Sequence, residues 1–415
     1  MTTNPSERGR ERHAFTAAFL GWMLDAFDFF VVIFLVSTLA QQFAVSKADI
    51  IWSITLTLAM RPLGAVLFGL ISDRYGRRLP LMANVIYFAI IEVACGFAPN
   101  FTVFLVLRAL FGIGMGGEWG LGAALAMEAV PAHRRGVWSG LLQSGYPVGY
   151  LLAALAARFL LPSLGWRWMF FAGGIPALLA LYVRTKVPES AAWQRQRATS
   201  VGQIFRTLAA SAKLVAYLIV LMALMNFLSH GTQDLYPDFL ATVHHIAPAT
   251  VAWIAVLYNV GAVVGAFIFG WFSEPWGRRR SMIAALVLSL LVIPFWSFGS
   301  GVWVLAAAAF LMQAGVQGAW GIIPVHLNEL APASARGLVP GFCYQIGILI
   351  AAPTSNIEYA LRDHFGYGKA MGGFEVVILI VVVLVVAFGP ERKGRDFMAS
   401  PAAAATAGQA DALTG

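Results

Sequence analysis

Charge is what this sequence lacks: only 12% of its 415 residues are Asp, Glu, Lys or Arg, while 59% are hydrophobic. A soluble domain carries about twice that share of charge, so a water-soluble globule is excluded. Cysteine is almost absent too. Cys95 and Cys343 fall in separate apolar stretches, which rules out a disulfide framework and a cysteine-based metal site. The chain has no Walker loop, metal-ligand spacing or nucleophile elbow, and its short Gly-x-Gly elements lie inside apolar helices where they serve packing. An enzyme, a metal and any other cofactor are therefore not expected. The polar N-terminal residues lead into no small-residue cleavage pattern, so no signal peptide is expected. Neither the central loop nor the low-complexity tail after about residue 396 resembles a signalling domain.

What is there is a succession of apolar runs, each about 20 residues long and able to cross the hydrocarbon core of a bilayer. They fall near 15–39, 50–72, 80–98, 101–127, 137–161, 166–186, 213–240, 249–273, 281–299, 302–327, 337–361 and 370–389. The expected fold is an all-α membrane protein of twelve transmembrane helices. Its expected organisation is an N-tail at 1–14, a six-helix half at 15–186, a central loop at 187–212, a second six-helix half at 213–389 and a tail at 390–415.

With the N-tail placed in the cytoplasm, 21 of the 28 Lys and Arg residues fall on the cytoplasmic side. Only Lys47, Arg158, Arg167, Arg362 and Lys369 fall outside, and Arg61 and Arg108 lie within spans. This bias predicts that the N-tail, the central loop and the C-tail are all cytoplasmic. It also accounts for the net charge of +8 without nucleic acid, because the cations are dispersed among loops.

Shifting the chain by 201 residues superimposes its halves. Gly64-Ala65 meets Gly265-Ala266, Ser72-Asp73 meets Ser273-Glu274, and Gly76-Arg77-Arg78 meets Gly277-Arg278-Arg279. Further on, Trp119 meets Trp320, Glu128 meets Glu329, and Arg135-Gly136 meets Arg336-Gly337. Two halves related by parallel repetition place a substrate site near the midplane between them, with rocking giving alternating access.

Gly69-Leu-Ile-Ser-Asp73-Arg-Tyr-Gly76-Arg77-Arg78 resembles the loop signature of the major facilitator superfamily, with a degenerate copy at Gly270 to Arg279. Arg108 to Gly114, Val187-Pro188-Glu189-Ser190 and Gly389-Pro390-Glu391 extend the resemblance over essentially the whole chain. It implies the major facilitator fold, with the first, fourth, seventh and tenth spans lining a cavity.

The charged loops have two readings. One is topology alone. The other is a cytoplasmic gate: Asp73 and Glu274 end the second and eighth spans, where a carboxylate faces the positive N-terminal dipoles of the eleventh and fifth. Arg77 and Arg278 then reach Glu128 and Glu329, with Arg135 and Arg336 beside them.

Ionisable residues in lipid are read by default as lining a substrate or proton path. Asn226, His230 and Gln233 share one face of the seventh span at i, i+4, i+7 spacing, and Asp234 is four residues from His230. Pro237 is expected to kink or end that helix. Further polar groups are Asp25 and Asp28 in the first span, Arg108 and Glu118 in the fourth, and Gln313 and Gln317 in the tenth, whereas most of the twelfth is plain.

The seventh span also resembles a narrower group, the proton-coupled lactate and pyruvate permeases of the sialate:proton symporter family. The match covers Asn226, Ser229, His230, Thr232, Gln233 and Asp234, and departs at Asp238, where that group has threonine. In the eleventh span Tyr344-Gln345 is retained, and Ile348 stands in place of an asparagine. The resemblance implies a proton-coupled symporter of short monocarboxylates, with Asn226, His230, Gln233, Tyr344 and Gln345 at the substrate.

A carboxylate needs a cation. Arg61 lies about 17 Å along the second span at about 1.5 Å per residue, near the midplane, and Arg108 is shallower. Arg61 is the expected anchor, by bidentate guanidinium-to-carboxylate geometry. The alternative is that it neutralises Asp25 or Asp28. For the proton, the candidates are Asp234 with His230, then Asp28 and Asp25, then Glu118, whose alternative role is a packing partner in a glycine-rich segment. His244, His245 and His326 are expected to be solvated or structural. The other reading of function is a larger organic anion, such as sialic acid, an aromatic acid or a dicarboxylate; a non-transporting sensor on the same fold is a third. The expected setting is a bacterial inner membrane, the protein acting as a monomer with a small carboxylate and protons as its partners.

Overall fold

Backbone amides in lipid have no water to bond, so each spanning segment closes its own hydrogen bonds as a helix. The computed structural model describes residues 5–196 and 200–398, and among these residues there are helices and no strands. The first half runs α1 (Pro5–Phe43), α2 (Lys47–Tyr75), α3 (Arg78–Gly96), α4 (Phe101–Ala129), α5 (Arg135–Gln143 continued by Gly145–Leu164) and α6 (Trp166–Ala172 and Pro176–Lys186). Two short helices, Ala191–Gln196 and Val201–Ala210, lead to the second half. There α7 (Ala212–Gln233, then Tyr236–Thr242), α8 (Pro248–Trp276), α9 (Arg278–Phe298), α10 (Val302–Leu330), α11 (Val339–Ala351 and Thr354–Phe365) and α12 (Tyr367–Phe388) repeat the order.

Ten of the twelve expected spans appear, among the described residues, as helices long and apolar enough to cross a membrane. The sixth and eleventh are present but interrupted. Gly173-Gly174 ahead of Pro176 breaks α6, and Ala352-Pro353 breaks α11, because proline cannot donate to the preceding turn. The same chemistry ends the first segment of α7 at Gln233 and restarts it at Tyr236, with Pro237 in the new first turn.

Start signals are local. Ser46 and Asp49 form a reciprocal capping box at α2, and Asn100 accepts from the Val103 amide at α4. The turns into α3 and α9 pass through Gly76 at φ 111° and Gly277 at φ 100°, repeat-related positions where a side chain would be strained. Outward faces are apolar, with Trp253 and Trp303 respectively 73% and 86% exposed, as a lipid-facing surface requires. The polar residues are turned inward: Asp25, Asp28, Arg108, Glu118, Glu358 and Glu375 are all fully buried.

Candidate functional site

A cavity of about 440 Å³ lies between the halves, lined by α1, α2 and α5 on one side and α7, α8, α10 and α11 on the other. Among the described residues that line it the one arginine is Arg61 of α2, 3% exposed, with its guanidinium 5.7 Å from the Tyr344 ring. Arg61 Nε and Nη2 have no hydrogen-bond partner, and it forms no ion pair within 4.0 Å among the described residues. Below it the Tyr344 ring is held by Trp119 at 4.6 Å, Trp320 at 5.6 Å and Trp22 at 6.3 Å. Trp119 and Trp320 are the repeat-related pair, so the symmetry of the halves builds this floor.

The opposite wall is the α7 stripe. Asn226, His230 and Gln233 all face the cavity, and His230 Nδ1 lies 3.1 Å from Asp234 Oδ2. Asp234 is 42% exposed at the mouth. Amides on α10 set the stripe's geometry: Gln313 Oε1 accepts from Gln233 Nε2 at 2.8 Å while Gln313 Nε2 donates to Thr232 Oγ1 at 3.0 Å. The remaining surface is largely aromatic, from Phe29, Phe30, Tyr146, Tyr150 and Tyr258. Ile348 also faces in, so the departure from an amide there makes this wall more apolar. Asp238 is accounted for separately, because its Oδ2 accepts from the Tyr367 hydroxyl at 2.7 Å and ties α7 to α12.

Away from its mouth, at the end bearing the basic loops, the cavity is closed by contacts between the halves. Asp73 accepts from the Gly337 and Leu338 amides at 2.7 and 3.0 Å, at the start of α11, and also from Arg77 Nη1 at 2.6 Å. Arg77 Nη2 reaches Glu128 at 3.0 Å, and Arg336 from the other half reaches the same carboxylate at 3.4 Å. In the second copy Glu274 accepts from the Gly136 amide in the first turn of α5, and Arg278 pairs with Glu329 at 3.0 Å. Ser139 adds a bond to the Gly321 carbonyl at 2.6 Å. Glu189 and Glu391, the carboxylates of the two Pro-Glu motifs, accept from the amides of Arg77 and Arg278 at 2.8 and 2.5 Å.

Comparison with known proteins places this geometry. The sequence model of the Major Facilitator Superfamily matches residues 18–235, and that of "Sugar (and other) transporter" matches 211–394. The chain is 31% identical to a carboxylic acid transporter protein homolog of Saccharomyces cerevisiae, over 93% of its own length and 69% of that protein. It is 30% identical to a probable 4-methylmuconolactone transporter of Cupriavidus pinatubonensis, over 93% and 92% of the two chains. The chain belongs to the major facilitator superfamily. The fold agrees: the proton:xylose symporter XylE bound to 6-bromo-6-deoxy-D-glucose superimposes with a TM-score of 0.77 at 20% identity, covering 94% of this chain and 98% of that one.

Not every expected site residue reaches this facilitator's cavity. Asp25, Asp28 and Glu118 are fully buried within the first half, away from the lining, and their carboxylate oxygens have no partner among the described residues. α1 instead presents Phe29, Phe30 and Ile33, because Asp25 and Asp28, five and two residues before Phe30, lie more than about a third of a turn around the helix from it. Arg61 pairs with neither aspartate. Arg108 forms an ion pair with Glu92 at 2.8 Å and lies over Phe111, so its charge is already paired, away from the cavity lining. Gln345 is fully buried behind the cavity and donates to the Gly116 carbonyl of α4 at 3.4 Å. Among the described residues Arg135 pairs with no carboxylate within 4.0 Å; its Nε donates to the Met127 carbonyl at 3.0 Å and its Nη1 to that of Arg395 at 2.6 Å. His326 is buried, while His245 is exposed in the α7–α8 loop.

Sequence reasoning passed over Tyr146, Tyr150 and Tyr258, although two tyrosines at i, i+4 in an apolar span were a usable signal. It also passed over the segment after α12. There Phe397 packs under Arg135 at 3.6 Å and Arg336 at 4.0 Å, and Arg395 donates to the Glu329 and Ala331 carbonyls at 3.1 and 2.8 Å. Nothing periodic marks a strap of that kind.

Proposed function

We propose that this facilitator is a proton-coupled symporter of organic acid anions, working by alternating access between its two halves. The observation that carries the reading is Arg61: a guanidinium facing the cavity without a carboxylate partner is suited to a ligand that brings one. Tyr344, Asn226, His230 and Gln233 would complete the anion's hydrogen bonds. His230 with Asp234 would exchange the proton at the mouth, with Asp28, Asp25 and Glu118 as the further carriers inside the first half. The loop clusters of Asp73, Arg77, Glu128 and Arg336, and of Glu274, Arg278 and Glu329 with Arg135 beside them, would be the cytoplasmic gate. On this reading 1–14, 187–212 and 390–415 lie in the cytoplasm of a bacterium, the halves 15–186 and 213–389 span its inner membrane, and the protein acts as a monomer.

Two substrate classes compete. The α7 motif favours lactate or pyruvate. Cavity size and lining favour a larger, flat acid: about 440 Å³ lies within the range of about 300–1,000 Å³ for drug-sized ligands, and its walls are aromatic. The name of one relative, a probable 4-methylmuconolactone transporter, supports the same side, while that of the other, a carboxylic acid transporter homolog, fits either class. We favour a cyclic or unsaturated carboxylate. The test is uptake of radiolabelled benzoate and of L-lactate into proteoliposomes under an inward proton gradient, with and without a protonophore. Benzoate accumulation that the protonophore abolishes is the expected result. Accumulation of lactate alone would return the assignment to the short acids, and uptake indifferent to the gradient would overturn symport.

A further inference from the structure

The second half holds two carboxyls that neither the cavity lining nor the loop clusters use. Glu358, on the second segment of α11, and Glu375, on α12, are fully buried, and all four of their oxygens lack a hydrogen-bond partner among the described residues. Glu375 is aimed at α7. Its Oε1 occupies the space that a Cβ on residue 231 would take, so glycine at this position lets the carboxyl lie against the backbone between His230 and Thr232. Phe374 fills the same contact from α12, its ring 6.1 Å from that of Phe227.

Glu358 connects this carboxyl to the cavity: the helices Thr354–Phe365 and Tyr367–Phe388 fold back on one another at Gly366, and Glu358 and Glu375 stand eight residues before and nine after that turn, at one level of the pair. On the same face of α11, three residues earlier, Ser355 Oγ lies 3.4 Å from Asp234 Oδ2. Asp234, Glu358 and Glu375 thus form a sequence of carboxyls from the exposed mouth into the second half.

Other titratable groups surround the pair. α7 presents Asp234 with its partner His230, and Asp238, which accepts from the Tyr367 hydroxyl of α12 at 2.7 Å, while the second segment of α11 carries Tyr359 and His364. α11 adds Arg362 and Asp363, which pair with each other at 3.1 Å and are partly exposed, and α12 adds Lys369 near its start. α9, which also packs on α12, carries its charges at Arg278 to Arg280; Arg279 bonds the Val386 carbonyl at 2.9 Å, three helical turns beyond Glu375. Neither glutamate forms an ion pair within 4.0 Å among the described residues. Two unpaired carboxylates in such a place lose hydration and repel one another. A proton relieves both costs.

We propose that Glu358 and Glu375 form a second proton-binding site, loaded from the cavity through Asp234. In the loading step the proton leaves Asp234 by way of the Ser355 hydroxyl and bonds to a Glu358 oxygen, returning Asp234 to the carboxylate; Glu358 and Glu375 then hold it between them. Release runs the same bonds in reverse. The use of this proton in transport rests on the symport reading, whereas its binding does not.

The test uses the reconstituted full-length chain and two readouts. Infrared difference spectra across a pH titration, in H2O and D2O, should show a protonated-carboxyl band that is diminished in Glu358→Gln and in Glu375→Gln, and displaced in Gly231→Ala, which pushes a methyl group into Glu375. Benzoate accumulation under a gradient of one pH unit should fall about tenfold in Glu375→Gln for the loss of one coupled proton, while benzoate counterflow is retained. Spectra unchanged by both glutamine variants would overturn the site. Wild-type accumulation in Glu375→Gln would overturn its role in coupling. A band removed by the substitutions, in a wild-type protein whose uptake ignores the gradient, would support the buried site and overturn symport instead.

Discussion

The two halves share a register at a shift of 201 residues and diverge where they face each other. At the loops, Glu128 of the first half is bridged by Arg77 of its own half and Arg336 of the other, whereas Glu329 takes Arg278 of its own half and the Gly394 amide at 3.0 Å from the chain's end. Arg135, which the repeat places opposite Arg336, finds backbone carbonyls and the Phe397 ring instead. The cavity shows the same division. The first half contributes a lone guanidinium and keeps its own carboxyls sealed inside; the second contributes a histidine–aspartate pair open at the mouth and two carboxyls behind it. A repeat therefore supplies the frame, and the departures from it supply distinct tasks.

The sharpest way to break this comparison is to remove the two loop carboxylates in turn. Glu128→Gln leaves Arg77 and Arg336 buried without their shared partner, at a cost of about 3–5 kcal/mol to the closed gate, and should shift the protein toward the cytoplasm-open form. Glu329→Gln should leave the contacts between the halves closer to wild type. Cysteine accessibility from the two sides reads the balance, and equal shifts would erase the asymmetry. In the milder Asp73→Asn, the rate should fall while substrate affinity holds.

Next in size is Arg61. Arg61→Gln should weaken benzoate binding about tenfold to a hundredfold, the worth of a hydrogen bond to a charged group, with Arg61→Lys between it and wild type because lysine cannot form the bidentate fork. Unchanged KM in both would remove Arg61 from the substrate. Asp234→Asn addresses the opposite wall: accumulation under a proton gradient should be lost and exchange kept, and a variant that still concentrates substrate would refute its part in coupling. The smallest effect is expected at the end of the chain. Phe397→Ala removes two cation–π contacts, about 0.5–2 kcal/mol each, and should raise the transport rate by loosening the gate; a slower carrier would make the segment a support for the transport cycle.

Much of this was legible before any coordinates. Apolar run length determined the helices and their number, because lipid leaves a backbone no alternative to internal hydrogen bonds. The repeat determined which loop carboxylate lies opposite which arginine, and i, i+4, i+7 spacing put Asn226, His230 and Gln233 on one face, because helical geometry is local. Only the tertiary structure decided which way the remaining polar residues turn. Asp25, Asp28 and Glu118 have the same composition signal as His230 yet point into a half rather than between halves. Arg61 and Arg108 are both intramembrane cations, and only the position of Glu92 separates the one with a carboxylate partner from the one without. Glu358 and Glu375 acquire a relation to Asp234 only when α7, α11 and α12 pack together. Partnership of that kind depends on helices distant in sequence, and no periodicity within one helix encodes it.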